Sequence, residues 1–142
     1  MQEPNDDYQI VWLIRRLFRA MAQKANDGLQ DLDITVADRA ILEFLYPDEK
    51  LSVPEIAKRY QVSRQHVQVT VNGLLESGNL VTKGNPRHKR SPLIALASKG
   101  RALFRKIKKR DTKIVKQMFS HVPEEDRRVT QKTLETLLAQ LE

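Results

Sequence analysis

The chain of 142 residues contains no cysteine. This absence excludes disulfide bonds, thiolate metal sites and redox sensing by a thiol. Long apolar runs are missing near the N-terminus, where the longest, residues 10–14, is far too short to cross a bilayer. The first seven residues, MQEPNDD, are acidic and lack the charged-then-apolar pattern of a secretory signal. We therefore expect a cytoplasmic protein with no membrane partner.

The sequence also lacks the motifs of common enzyme classes. It has no Gly-rich phosphate loop, no GxSxG elbow, no HExxH spacing and no clustered pair of carboxylates. Its three histidines, His66, His88 and His121, fall on three different predicted elements. We therefore expect no catalytic residues, no metal site and no cofactor.

A short helix is predicted from about residue 53 to residue 60. Ser52 and Glu55 have the spacing of a capping box, and Leu51 and Ile56 are placed to form a hydrophobic staple across it. Pro54 falls in the first turn, where a missing N–H costs little. These features mark the start of a helix independently of one another.

A second helix is predicted to start at Ser63, with Val62 and Val67 as its staple pair. Since only residues 61 and 62 separate the two helices, they must cross steeply, as in a helix-turn-helix. Gly78 follows the second helix, at a position where a left-handed residue is often needed. Its apolar residues have the spacing of one buried stripe: Val67, Val71, Leu74 and Leu75.

The opposite side of the second helix is predicted to be polar. Amide side chains can bond an adenine edge in two places, and arginine can do the same to guanine. The alternative is an ordinary solvated helix face. We favour DNA recognition because two capped helices and a basic hairpin occur together. The candidate residues are Ser63, Arg64, Gln65, His66, Gln68, Val69 and Asn72.

A small β-hairpin with a basic tip is predicted after the second helix. Residues 80–83 and 92–96 read as strands around the sequence GNPRHKRS, and Pro92 fits the opening of an edge strand. Cations on such a loop can enter the minor groove or pair with phosphates, although a soluble basic turn is the alternative. The candidate DNA-binding residues of this wing are Lys83, Arg87, Lys89 and Arg90.

The charge distribution agrees with this placement. Residues 1–50 hold 6 basic and 10 acidic side chains, residues 51–100 hold 8 and 2, and residues 101–142 hold 11 and 6. The overall net charge is +7. The positive excess begins where the predicted helix-turn-helix begins, as an electrostatic footprint for nucleic acid should.

Helices with apolar stripes are predicted on both sides of this region. Residues 6–27 form one, ended by Gly28, and residues 98–142 form two, separated near residues 121–122 with Pro123 at the first helical position. Another helix is predicted from a cap at Thr35 to residue 46. Packing against a two-fold partner would cover the terminal stripes, whereas in a monomer they would fold back on their own domain. The basic run 105–110 either solvates its helix or contacts phosphate.

In this order of elements the chain resembles the multiple-antibiotic-resistance-regulator (MarR) family. The resemblance rests on helix 38–42 (DRAIL), the caps Ser52 and Ser63, the wing, and residues 98–103 (SKGRAL) opening a long helix. It implies a mainly α fold with a β-hairpin wing: one domain of residues 1–142, with a winged helix-turn-helix lobe at 30–97. It further implies dimerisation helices at 6–27 and 98–142.

The family wing usually carries an Asp-x-Arg pattern, in which the Asp steadies an Arg that enters the minor groove. The matching positions here are His88 and Arg90, so the Arg is kept and the Asp is lost. The resemblance therefore implies that Arg90 is the minor-groove residue. With His88 in place of Asp, we expect the wing to bind phosphate more than it reads sequence.

The resulting hypothesis is a sequence-specific regulator of transcription that binds double-stranded DNA. The resemblance implies a homodimer, usually a repressor, on a pseudo-palindromic operator, with release by a small-molecule effector. The alternatives are a winged-helix module that docks a protein partner and a sequence-blind nucleic-acid binder. No effector site is assigned, because core packing explains the aromatic residues as well as a ligand cleft does. These aromatic residues are Trp12, Phe18, Phe44 and Tyr46.

Overall fold

The computed structural model describes residues 6–142. Residues 1–5, which contribute to the expectation of a cytoplasmic protein, lie outside the described part. The elements follow one another in this order: α1 (Asp7–Asp27), a 3-10 helix (Gln30–Leu32), α2 (Val36–Leu45), β1 (Leu51–Ser52), α3 (Val53–Tyr60), α4 (Arg64–Glu76), β2 (Leu80–Lys83), β3 (Leu93–Leu96), α5 (Ser98–Met118) and α6 (Glu124–Leu141).

The mainly α fold with a small wing is confirmed, with one addition to the sheet. The strands are antiparallel in the order β1-β3-β2, so the predicted hairpin is part of a three-stranded sheet. Leu80 pairs with Leu96 in the hairpin, and Leu51 of β1 pairs with Ile94. Strand β3 begins at Leu93, one residue later than predicted, because Pro92 has no N–H to donate to a ladder.

The chain divides into two compact units, the first extending to Ile107 and the second comprising Lys108–Glu142. The first unit contains one hydrophobic core, built from α2, α3, α4, the sheet and the first turns of α5. Phe104 and Ile107 of α5 are buried in it, so the core extends ten residues past the boundary predicted at residue 97. The fully buried large side chains are Ile41, Leu42, Leu45, Ile56, Val67, Val71, Ile94 and Ile107.

The junction between α4 and α5 is fixed by backbone contacts. Gly78 has a φ of 82° and ends α4, while the Asn79 N–H donates to the Leu74 carbonyl at 2.9 Å. The Asn79 carbonyl accepts from the Ala97 N–H at 3.0 Å. A Cβ on Gly100 would overlap this same Asn79 carbonyl. A glycine is therefore required at position 100 for α5 to approach the lobe.

The second unit contains the end of α5 and all of α6. Pro123 was predicted at the first helical position, but it lies at the N-cap of α6, so the helix begins one residue later at Glu124, and three acidic side chains occupy its first turn. These acids favour a helix start because the helix dipole is positive there. Helix α6 has no buried residue, and its large apolar side chains Leu134, Leu137, Leu138 and Leu141 are exposed.

Candidate nucleic-acid interface

Helix α3 is held at its start by the predicted capping box. The Glu55 N–H donates to Ser52 Oγ at 3.3 Å, and the Ser52 N–H donates to Glu55 Oε1 at 3.1 Å. Leu51 and Ile56, the predicted staple pair, are both buried in the core. These contacts fix the angle at which the chain enters α3, and therefore the position of the turn that follows.

The turn between α3 and α4 depends on one residue in an unusual conformation. Gln61 has a φ of 57°, in the left-handed region, and its N–H donates to the Ala57 carbonyl. Ser63 then caps α4, with its Oγ accepting from the His66 N–H at 3.1 Å. This connection is as short as predicted, and it starts α4 immediately after the turn.

The buried side of α4 anchors the helix against the core. Val67, Val71 and Leu74 are buried and Leu75 is half-buried, as the predicted stripe requires. Thr70 is also buried, which the stripe did not predict. Its Oγ1 donates to the His66 carbonyl at 3.1 Å, so its hydroxyl is satisfied within the helix.

The opposite side of α4 is open to solvent along its length. Val69 is 67% exposed and lies among the polar side chains of this face. The Gln68 Nε2 donates to Asn72 Oδ1 at 2.8 Å. This bond couples the two amides one turn apart. All the predicted residues of this face are exposed: Ser63, Arg64, Gln65, His66, Gln68, Val69 and Asn72.

The wing tip, residues 84–92 between β2 and β3, presents its cations to solvent. It is folded into consecutive turns, with the His88 N–H donating to the Asn85 carbonyl and the Ser91 N–H donating to the His88 carbonyl, both at 3.2 Å. The four predicted wing residues, Lys83, Arg87, Lys89 and Arg90, are all exposed.

A groove of about 390 Å³ lies between α4 and the wing. Arg64, Gln65 and Gln68 line it from the helix, and Arg90 lines it from the wing. Two predicted cations and two predicted amides therefore share one concavity. Lys83 and Lys89 line neither this groove nor the adjacent one, which is lined by Arg64 and Arg87.

Glu55 is an acidic side chain beside the basic wing. The pKa of its carboxyl is lowered from the ordinary value of 4.5, chiefly by the backbone hydrogen bond from Ser52 and then by the Ser52 hydroxyl. Attraction to Arg59 and Arg87 adds to this lowering of the pKa. Glu55 is therefore ionised at neutral pH, and its role is in the helix cap.

The aromatic residues considered for a ligand cleft fall into two groups. Phe44 makes an edge contact with Tyr60, with ring centroids 5.5 Å apart, and Tyr46 packs on Phe104 at 5.0 Å. These two line the core of the lobe. Trp12 and Phe18, on α1, are exposed.

Groups of metal-ligating side chains and bilayer-spanning helices are both absent from the described residues. Within residues 6–142, the His, Asp and Glu side chains form no group of three that could hold a metal ion. No helix in that same range is long and apolar enough to span a bilayer.

Comparison with known proteins places this geometry in a family. The sequence model described as MarR family matches residues 32–91. An uncharacterized protein of Mycobacterium tuberculosis and another of Mycobacterium bovis are each 32% identical to the chain over 107 residues. The match covers 74% of this chain and 68% of each relative.

Solved structures share the fold at lower identity. A MarR family protein from Bacillus stearothermophilus superimposes with a TM-score of 0.86 at 15% identity, covering 99% of both chains. Streptococcus pneumoniae FabT in complex with DNA gives 0.83 at 21% identity, covering 95% of this chain and 97% of that one. Staphylococcus aureus MepR, a transcription regulator of the multidrug efflux pump MepA, superimposes with a TM-score of 0.79 at 23% identity. The match covers 93% of this chain and 98% of that one. This chain belongs to the MarR family of winged-helix transcriptional regulators.

Proposed function

We propose that this chain acts as a cytoplasmic homodimer that binds double-stranded DNA at a pseudo-palindromic operator and represses transcription there. It acts by binding and not by catalysis. The observation that supports this most directly is the shared groove, in which the amide face of α4 and the basic wing converge. A major-groove helix and a minor-groove loop must be neighbours in this way to straddle one DNA strand.

In this proposal the residues of α4 divide into two roles. Ser63 and Arg64, at the start of the helix, hold phosphates together with Lys83 of the wing. The exposed side chains further along read base edges: Gln65, His66, Gln68, Val69 and Asn72. Because Gln68 and Asn72 are hydrogen-bonded to each other, we expect them to recognise adjacent base edges as one unit.

The wing follows the strand into the minor groove. Arg90 enters the groove or pairs with the phosphates at its edge, and Arg87 and Lys89 extend the contact along the backbone. Because these contacts neutralise phosphates, binding is expected to weaken steeply with salt.

The terminal helices support a dimer. On α1 the apolar residues at helical spacing are between 37% and 51% exposed in the single chain: Ile10, Ile14, Leu17 and Met21. A contiguous apolar stripe of this kind is unusual on a monomer, and a second copy would cover it. A two-fold dimer also presents two copies of α4 to half-sites one helical turn apart.

Likeness to characterised proteins supports the same function. FabT, which shares the fold, has been solved in complex with DNA, and MepR is a transcription regulator. A dimer bound at a promoter blocks polymerase, which makes repression the expected outcome. Relief by a small-molecule effector extends the proposal by the same likeness.

The test is a fluorescence-anisotropy titration of the full chain against duplex from its own upstream promoter region. We expect binding of the promoter duplex to survive an excess of scrambled competitor. Specific sites are commonly at least about 1000-fold tighter than non-specific DNA. Equal competition by the scrambled duplex would indicate a sequence-blind nucleic-acid binder. Absence of binding at low salt would instead favour the module that docks a protein partner.

A further inference from the structure

The wing tip has little apolar packing to hold its shape. Residues 84–92 are exposed except Asn85 and Ser91, which are half-buried. Three candidate DNA-binding cations, Arg87, Lys89 and Arg90, lie between these two residues. In the DNA-free protein, the position of these cations therefore depends on hydrogen bonds within the tip.

A single side chain joins the two ends of the tip. The Asn85 Nδ2 donates to the Ser91 carbonyl at 2.8 Å, across six residues. Its Oδ1 accepts from the Arg87 N–H at 3.1 Å. The Asn85 main-chain carbonyl accepts from the His88 N–H as well. The side-chain amide thus uses both its donor and its acceptor to close the loop that carries the cations.

His88 stands where the family pattern has the Asp that steadies the arginine. Within the described residues its imidazole makes no hydrogen bond, and it is exposed. The side chain at position 88 therefore does not hold the tip in this chain. The main chain of His88 bonds to Asn85 and Ser91, and the side-chain hydrogen bonds that close the tip come from Asn85.

We propose that Asn85 is the positioning residue of the wing: it pre-organises the tip so that Arg90 and Arg87 reach the DNA without an ordering cost. This inference rests on the proposed function, since the positioning matters only if the wing binds DNA. A loop that must be ordered on binding loses affinity, because the fixed state is reached at the expense of conformational entropy. We expect loss of the two hydrogen bonds of the Asn85 side chain to weaken operator binding by about tenfold, a typical cost for ordering a short segment.

The first readout does not involve DNA. In Asn85→Ala, the Arg87 amide loses its acceptor, so its hydrogen exchange should become faster than in the unmodified chain. Asn26→Ala, an exposed asparagine on α1, is the matched control and should leave the Arg87 amide unchanged. Unchanged exchange at Arg87 in Asn85→Ala would overturn the proposal that the Asn85 side chain orders the tip.

The second readout is a double-mutant cycle with Arg90→Ala on the promoter duplex. Asn85→Ala should raise Kd about tenfold when Arg90 is present and less than about threefold when Arg90 is already alanine. The melting temperature should stay within about 3 °C, as for a surface substitution. Equal losses in both backgrounds would show that Asn85 does not act through Arg90, and would refute the proposal.

These outcomes separate the inference from the function on which it rests. If the unmodified chain prefers its promoter duplex and Asn85→Ala binds equally well, the positioning role is wrong while DNA recognition stands. If the unmodified chain shows no preference for that duplex, the proposed function fails, and the positioning role fails with it.

Discussion

The winged lobe and the terminal helices carry the same kind of apolar stripe with opposite outcomes. On α4 the stripe of Val67, Val71 and Leu74 is buried within the chain, whereas α1 and α6 have no buried residue. Periodicity therefore predicts which side of a helix is apolar but not what covers it. The lobe completes its core alone, whereas the stripes of the terminal helices stay exposed in the single chain and would be covered in the proposed dimer.

The largest effect is expected at the junction that completes the lobe. In Gly100→Ala the new Cβ would overlap the Asn79 carbonyl, so the backbone at Asn79 or at the start of α5 must move to relieve the clash. We expect a loss of about 3 kcal/mol or more in the free energy of unfolding, measured by urea denaturation.

Gly73→Ala is the matched control for Gly100→Ala. A Cβ at Gly73, in the interior of α4, meets nothing within 4 Å. This variant should gain up to about 1 kcal/mol, because alanine restricts the unfolded chain and suits a helix. An equally stable Gly100→Ala would show that the lobe tolerates a wider junction than the structure has.

The next effect separates the terminal helices from the lobe. Leu17→Glu places a charge in the apolar stripe of α1. We expect the dissociation constant of the dimer to rise by at least about 100-fold, since burying an unpaired charge costs several kcal/mol. Sedimentation equilibrium measures this change. Arg16→Glu, an exposed position outside this apolar stripe, should leave the dimer intact. If the unmodified chain sediments as a monomer, the stripe of α1 has another role.

Within the lobe, the contribution of the wing is measured by salt dependence. Arg90→Ala should weaken operator binding and reduce the slope of log K against log salt concentration by about one, because one phosphate or groove contact is lost. Lys132→Ala, which removes a cation from α6, is the control and should keep the slope. An unchanged slope in Arg90→Ala would exclude this arginine from the interface.

The smallest effect is expected from the cap of α3. The pKa of Glu55 is lowered in the folded protein, so its stabilising contribution is present above its ordinary pKa of 4.5 and is lost as the pH falls through the folded value. Glu55→Gln should therefore cost less than about 1 kcal/mol at pH 7, since the side chain is exposed, and less at pH 3, where the carboxyl is more protonated.

Thermal unfolding of Glu55→Gln at the two pH values checks this prediction. Glu76→Gln, at the exposed end of α4, is the matched control and should differ little from the unmodified chain at either pH. A difference in stability between Glu55→Gln and the unmodified chain that is the same at both pH values would show that the charge of Glu55 does not stabilise the cap.

The sequence predicted the elements whose determinants are local. The caps at Ser52 and Ser63 and the end of α4 at Gly78 depend on bonds between residues three to five positions apart. Such bonds form wherever the right residue types occur at the right spacing. The exposed face of α4 could be predicted as well, because the cap at Ser63 fixes where the helical periodicity begins.

Features that depend on distant residues were missed. Strand β1 has two residues, too few for an alternating pattern, and exists because Leu51 meets Ile94. Phe104 joins the core because Gly100 lets α5 approach closely. Asn85 is a common turn residue, but its bond to Ser91 becomes visible only once the wing closes.

A base-pair substitution scan of the operator with Gln68→Ala tests whether the exposed amides of α4 read base pairs. We expect Gln68→Ala to lose about 1–3 kcal/mol of base discrimination at one position in each half-site and to keep it at the others. Asn72→Ala should affect the same or the adjacent position, because the two amides are bonded to each other. A uniform loss of affinity on every sequence would contradict base recognition by α4.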